Sequence, residues 1–228
     1  MTFSFAFCLC RKNRSKFFRH GLWVGMSWEE RYQQEDTPWD KGAAAPPLVD
    51  LLQSHPECFG AGDILVPGCG RGHDCREIAR MIPASQVIGL DISQTALQQA
   101  RQLDARQAVT FREADFLTAQ AEEYAEISAI FEHTCFCAID PSLRTAYVEA
   151  CARLLPAGAY WVAIVFLTPR EIDDPTIGPP FQSSIAEIEE LFSPHFTLEQ
   201  SYVPERTYSG RKGKERVMLW RRKEGESK

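Results

Sequence analysis

From residue 46 onward, short apolar runs alternate with longer stretches whose apolar positions recur every three or four residues. The runs at 64–66, 87–90, 108–112, 127–131 and 159–167 predict strands. The periodic stretches at 46–54, 74–81, 94–103, 141–155 and 184–192 predict helices. Pro46 and Pro47 stand where a helix's first N–H groups have no partner anyway, and Ser93 is placed to cap the helix after it. Pro67 ends the first run, because proline cannot continue a central strand. Two last runs, 196–203 and 215–222, have only the turn 209–213 and its flanks between them, which predicts a hairpin. Strands regularly separated by helices give a parallel sheet covered on both faces. The expected fold is α/β, a doubly wound, seven-stranded, mostly parallel sheet with helices on both faces and a C-terminal β-hairpin.

Composition bounds what such a fold can do. A chain of 228 residues, 44% of them apolar, can bury one substantial core, so one domain is expected, spanning 26–228. Residues 1–25 begin with an apolar run too short for a membrane span, and the positive charge follows it, the reverse of a secretory signal. They are expected to be a poorly ordered N-terminal extension, with Met26 as the physiological start. The net charge of −6 carries no basic stripe, so nucleic acid loses its electrostatic footprint as a partner. A small-molecule substrate, no membrane partner and a monomer are expected. The eight cysteines include Cys69, Cys75, Cys135, Cys137 and Cys151 inside apolar or helical patterns, which reads as a reduced, cytoplasmic compartment. His133, Cys135 and Cys137 lack a fourth metal ligand at any usual spacing, so no metal is expected.

Candidate chemistry concentrates after the first strand. Gly68, Gly70 and Gly72 alternate through a loop that leads into a helix, letting backbone approach a ligand while the helix's free N–H groups face the same space. Their order is G-x-G-x-G, not the G-x-G-x-x-G of a dinucleotide fingerprint, which disfavours a nicotinamide oxidoreductase. About 20 residues on, Asp91 closes the second run and can accept both hydroxyls of a ribose. A glycine loop alone is also a plain tight turn; the paired carboxylate favours nucleoside binding.

The segments Val66-Pro67-Gly68-Cys69-Gly70-Arg71-Gly72-His73-Asp74 and Gly89-Leu90-Asp91-Ile92-Ser93 resemble S-adenosylmethionine-dependent methyltransferases of the thiopurine S-methyltransferase superfamily, nearest the halide and thiocyanate (thiol) methyltransferase branch. The likeness runs from about Trp28 to Lys223. It implies the class I methyltransferase, Rossmann-like variant of the fold, with S-adenosyl-L-methionine as cofactor and S-adenosyl-L-homocysteine as product. By spacing alone Trp28, Tyr32 and Trp39 are a hydrophobic lid; the family's W-x3-W-x6-W-D-x-G pattern makes them a lid over cofactor and acceptor, with Tyr32 at the second Trp position. The resemblance further implies cofactor contacts at Gly68, Gly70, Gly72, Asp91 and Ile92, and adenine contacts at Asp115 and Phe116. In D-Y-T-F-F-C-A-I-x-P-x-x-R, Thr134, Phe136, Cys137, Pro141 and Arg144 match, and His133 replaces Tyr as a cofactor or acceptor wall. Gly178 to Phe181 matches a Gly-Pro-Pro-aromatic segment over the pocket mouth, although a plain connecting loop fits the residues as well.

The expected reaction is methyl transfer to a small soft nucleophile, a thiol, thiocyanate, halide or thiopurine-like sulfur, by in-line displacement. Such a step needs alignment and desolvation more than proton chemistry. Trp28, Tyr32, Trp39 and Phe181 are the candidate pocket walls, and no catalytic acid or base is assigned. Two alternatives stand beside it: a methyltransferase of the same fold acting on oxygen or nitrogen, with His133 or Asp140 as base, and a non-catalytic nucleoside-binding module. Lys212 to Lys214 reads as a solvated turn.

Overall fold

The computed structural model describes residues 26–124, 126–167 and 177–224. The expected N-terminal extension and most of the loop over the pocket mouth lie outside these. The strands are β1 (Asp63–Pro67), β2 (Val87–Asp91), β3 (Val109–Glu113), β4 (Ile127–His133), β5 (Tyr160–Phe166), β6 (Phe196–Tyr202) and β7 (Glu215–Arg222). The helices are α1 (Trp28–Gln33), α2 (Pro46–Ser54), α3 (His73–Met81), α4 (Gln94–Leu103), α5 (Arg144–Leu154) and α6 (Ile185–Phe192). No helix among the described residues is long and apolar enough to cross a membrane.

One seven-stranded sheet runs in the order β3-β2-β1-β4-β5-β7-β6. β1 to β5 are parallel, and β7 runs antiparallel to both β5 and β6. The expected fold is the observed one. The final hairpin differs in placement: β7, the last strand in the chain, is inserted between β5 and β6 instead of ending the sheet. Its apolar run Val217 to Trp220 is buried, whereas β6 is buried only at Phe196, so β6 takes the edge. The expected helix 141–155 opens with a 3-10 turn, Pro141–Leu143, capped by the Asp140 side chain, and becomes α-helical at Arg144.

Side chains alternate across the strands and feed a core on each face. Leu65, Ile88, Ile130 and Trp161 pack with Tyr147 and Phe192 of α5 and α6. Ile64, Val66 and Val162 pack with Leu51, Ile78 and Leu97 of α2, α3 and α4. Each such burial is worth about 1.5–3 kcal/mol. Because the chain moves from β1 outward to β3 and then returns to β4 on β1's other side, a crevice opens at the carboxyl ends of β1 and β4, where open α/β sheets bind ligands.

Candidate active site

A cavity of about 770 Å³ occupies that crevice. Its floor is the turn after β1. Gly68 and Gly70 have φ of 59° and 53°, and an added Cβ would stand 2.9 Å from Cys135 Sγ or 2.6 Å from the Tyr32 hydroxyl. Both conformation and close approach therefore require glycine. The Gly70 N–H donates to Asp91 Oδ2 at 2.8 Å and the Ser93 N–H to Oδ1 at 2.9 Å. Burial raises the Asp91 pKa, opposed by these backbone donors. Each carboxylate oxygen keeps a second lone pair for an incoming hydroxyl. Ile92, next to it on the cavity wall, is 53% exposed, a large apolar surface left open beside a polar group.

The N-terminal residues form a roof tied down at several points. Ser27 caps α1 through a reciprocal capping box with Glu30. Glu29 reaches α4, accepting from the hydroxyls of Thr95 (2.6 Å) and Ser93 (2.7 Å) and from the Thr95 N–H. The Thr95 hydroxyl above all, with Ser93, holds the Glu29 pKa down at about 2. Asp40 accepts from Arg71 at 2.6 Å, and its Oδ1 lies 3.2 Å from His73 Nε2; His73 first and Arg71 with it hold its carboxyl far below the usual range. Tyr32 is buried over the glycine turn, accepts a hydrogen bond from Trp39 Nε1 at 3.2 Å, and stands edge-on to the Trp39 ring, which is edge-on to Trp28. One face of Trp39 carries the Arg31 guanidinium at 4.4 Å.

At the end of β4 the backbone is forced. Thr134, a β-branched residue on the cavity wall, has φ 67°, a conformation such side chains rarely adopt. The fully buried Glu132 sets it: Oε1 accepts from the Phe136 N–H at 2.8 Å and Oε2 from the Tyr147 hydroxyl at 2.6 Å, pinning the turn from behind. Beside it His133 Nδ1 meets Asp74 Oδ2 at 2.7 Å, and Nε2 faces Arg211 Nη1 at 3.1 Å and Glu215 Oε1 at 3.8 Å. Burial opposes charge on this imidazole, but Asp74 outweighs it and the pKa is pushed up to about 9. Tyr208 stacks on the ring and donates its hydroxyl to Ala43 O at 2.6 Å, tying the β6–β7 connection to the roof.

Of the residues the sequence singled out, Trp28, Tyr32, Trp39, Gly68, Gly70, Asp91, Ile92, Asp115, Phe116 and His133 line this one cavity. Asp115 caps the turn after β3, accepting from the Leu117 N–H, and Phe116 packs at 5.0 Å on Tyr147. Two of the residues singled out do not line it. Gly72 is off the wall: it caps α3 at φ 69°, with the Phe111 ring 2.6 Å from where its Cβ would be, so packing demands this glycine. Phe181 is buried, folded back on Gly178 with its N–H donating to Cys137 O, and Pro179 and Pro180 take the wall instead. Sequence reasoning did not assign Asp40, Asp74, Tyr208 or Arg211 to the site, and no local pattern marks the last of these.

Comparison with known proteins follows the same lines. The family model described as thiopurine S-methyltransferase matches residues 25–223. A thiocyanate methyltransferase 1 from Brassica oleracea is 33% identical over 201 residues, covering 86% of this chain and 84% of the relative. Among solved structures, one concerned with converting a disulfide bond into a thioacetal group during echinomycin biosynthesis has a TM-score of 0.63 at 23% identity, covering 82% of this chain and 85% of the other. Magnesium protoporphyrin IX methyltransferase from Synechocystis, with S-adenosylmethionine bound, has a TM-score of 0.58 at 16% identity, covering 84% and 79%. The last two establish likeness of fold.

Proposed function

We propose that this chain, which belongs to the thiopurine S-methyltransferase family and is an S-adenosylmethionine-dependent methyltransferase, methylates a small soft nucleophile such as a thiol, thiocyanate or halide. The observation that carries the acceptor class is the state of the groups on the cavity wall. Among the described residues, every carboxylate and imidazole there already has a partner. Asp74 is engaged by the Ala45 N–H and His133, Asp91 by Gly70 and Ser93, Asp115 by Leu117, and Asp140 by Ser142. Asp40 and His73 are held by Arg71 and Arg76. His133 has both ring nitrogens engaged, Nδ1 with Asp74 and Nε2 with Arg211 Nη1, which can only donate, so neither is open to a substrate proton. Among the described residues, no carboxylate or imidazole on the wall is poised to deprotonate a hydroxyl or amine, which favours an acceptor that arrives as a competent nucleophile. The thiocyanate methyltransferase relative supports the same class.

The cofactor fits the residues present: a turn that only glycine can make, a buried carboxylate with free lone pairs, an exposed isoleucine and an acidic-aromatic pair form one continuous wall. In this reading Asp91 accepts the ribose hydroxyls, Ile92 and Phe116 cover the base, Asp115 accepts from its exocyclic amine, and Gly68 and Gly70 admit the chain that carries the sulfonium. S-adenosylmethionine held there would supply a methyl group already activated on a sulfonium, so that the acceptor's lone pair could displace the thioether without proton chemistry from the protein. The Trp28 and Trp39 rings, with Tyr32, exclude water and offer π-faces to positive charge.

The test is a volatile-product screen: purified protein with S-adenosylmethionine and a panel of thiocyanate, iodide, bromide and simple thiols, beside a phenol and an amine. Methylated soft acceptors are expected. Turnover confined to the phenol or amine would sink the reading, and tight cofactor binding with no turnover at all would favour a binding module.

A further inference from the structure

The most deeply buried arginine on the cavity wall among the described residues is Arg211, in the connection between β6 and β7, which is 8% exposed. Its Nη1 donates to Glu215 Oε1 at 2.9 Å and faces His133 Nε2 at 3.1 Å. A guanidinium has donors on three nitrogens in a fixed planar fork. Among the described residues, Nη2 and Nε have no partner, and neither is sealed inside the protein, where an unpartnered donor would be costly. Arg211 is a residue of the cavity wall. Arg144, the other deeply buried arginine, is off that wall and gives Nη1 to Glu187 and Nη2 to the Gln182 carbonyl.

The surroundings suit an anion that sheds water easily. The Arg211 guanidinium carbon lies 5.0 Å from the Phe166 ring centre and 5.4 Å from that of Tyr208, and Pro179 and Pro180 complete the apolar wall. Arginine is itself weakly hydrated and pairs readily in such places. Glu215 balances its charge, so what the wall offers is directed donors in a dry setting. The attracting field comes from outside. Residues 206–216 carry Arg206, Arg211, Lys212, Lys214 and Arg216 against Glu215, in a chain whose net charge is −6. Lys212 and Lys214 are exposed beside Ser209 and Gly210 at the cavity. Sheet order separates this end from the nucleoside end: β2, which bears Asp91, and β5, which leads to Phe166, are three strand spacings apart, ~14 Å.

We propose, resting on the methyl-transfer reading above, that the free edge of the Arg211 guanidinium is the anion-recognition element of the acceptor subsite, so that the acceptor enters the cavity carrying its negative charge. Arg211 touches the acceptor and sets which acceptors are taken; it moves no proton.

Removing Arg211 alone would strand the buried Glu215, so the informative variant is Arg211→Met with Glu215→Gln, studied beside Arg211→Lys, which keeps the charge and loses the fork. On protein saturated with S-adenosylhomocysteine, calorimetric titration compares thiocyanate with methyl thiocyanate, its uncharged methylated form. In the double variant, thiocyanate affinity should fall roughly tenfold to a hundredfold. Methyl thiocyanate and S-adenosylhomocysteine should each stay within about twofold. The KM for thiocyanate should rise in parallel, with Arg211→Lys in between. A folded, cofactor-binding double variant with unchanged thiocyanate affinity, or an equal loss for thiocyanate and methyl thiocyanate, overturns the assignment. Absence of turnover with every soft acceptor in the unmodified protein would instead reject the methyl-transfer reading on which it rests.

Discussion

At Asp91, one carboxylate does two things: it closes the glycine turn by accepting the Gly70 N–H, and it presents lone pairs to the cavity. Asp91→Ala should weaken S-adenosylmethionine binding by about 1.5–3 kcal/mol, the cost of a lost charged acceptor. Calorimetry on the folded variant measures it, and unchanged affinity removes Asp91 from the site. His133 makes a contrasting prediction. Its pKa is raised from 6.5 to about 9, so its charged contact with Asp74 stabilises the protein fully below pH 6.5 and is lost as pH rises through about 9. His133→Phe should therefore lower the melting temperature most at pH 6, with the gap narrowing toward pH 9, while retaining most of its turnover. A variant that folds, binds cofactor and is inactive, beside an unmodified enzyme whose rate climbs through the histidine range, would establish general-base catalysis and reject the soft-nucleophile mechanism.

The elements explain why these residues meet. The roof is held to the sheet by polar ties, with Glu29 on the N-terminus of α4, Asp40 on Arg71, and the Ala45 N–H on Asp74. A short α1 of six residues could not hold its place by its own helicity. The turn between β1 and α3 is the other element under constraint. Gly70→Val puts a branched side chain at φ 53°, against the Tyr32 hydroxyl. It should abolish cofactor binding while circular dichroism keeps the helix and strand content of the unmodified protein. Binding that survives would make this a plain turn.

Across the whole molecule, cofactor and fold should be linked. The candidate cofactor wall is built from the roof, the β1 turn and the ends of β2, β3 and β4, so a ligand there bridges segments that unfolding separates. At a hundredfold excess over its dissociation constant, such a ligand adds about 2.7 kcal/mol. For a domain of this size that is a rise of roughly 5–11 °C in melting temperature. Differential scanning fluorimetry with S-adenosylhomocysteine measures it, and no shift at saturation would mean that the ligand leaves these segments unlinked.

The chain's own pattern determined the α/β architecture, because strands buried on both faces must be continuous apolar runs and helices over them must repeat every three to four residues. It also brought Gly68, Gly70 and Asp91 to notice, since a strand, a turn and the next strand's end lie a fixed, short distance apart in sequence. Tertiary structure alone decided the other half of the cavity. His133 meets Asp74 from 59 residues away because β4 pairs with β1, and it meets Arg211 from 78 because β7 inserts between β5 and β6 and carries its connection back toward the end of β4. Nothing local distinguishes the buried Arg211 from the exposed Lys212 beside it, and nothing local turns Phe181 inward while leaving Pro179 and Pro180 on the wall. Periodicity records which face of an element is buried; which distant loop closes over a strand's end depends on the order in which strands pair.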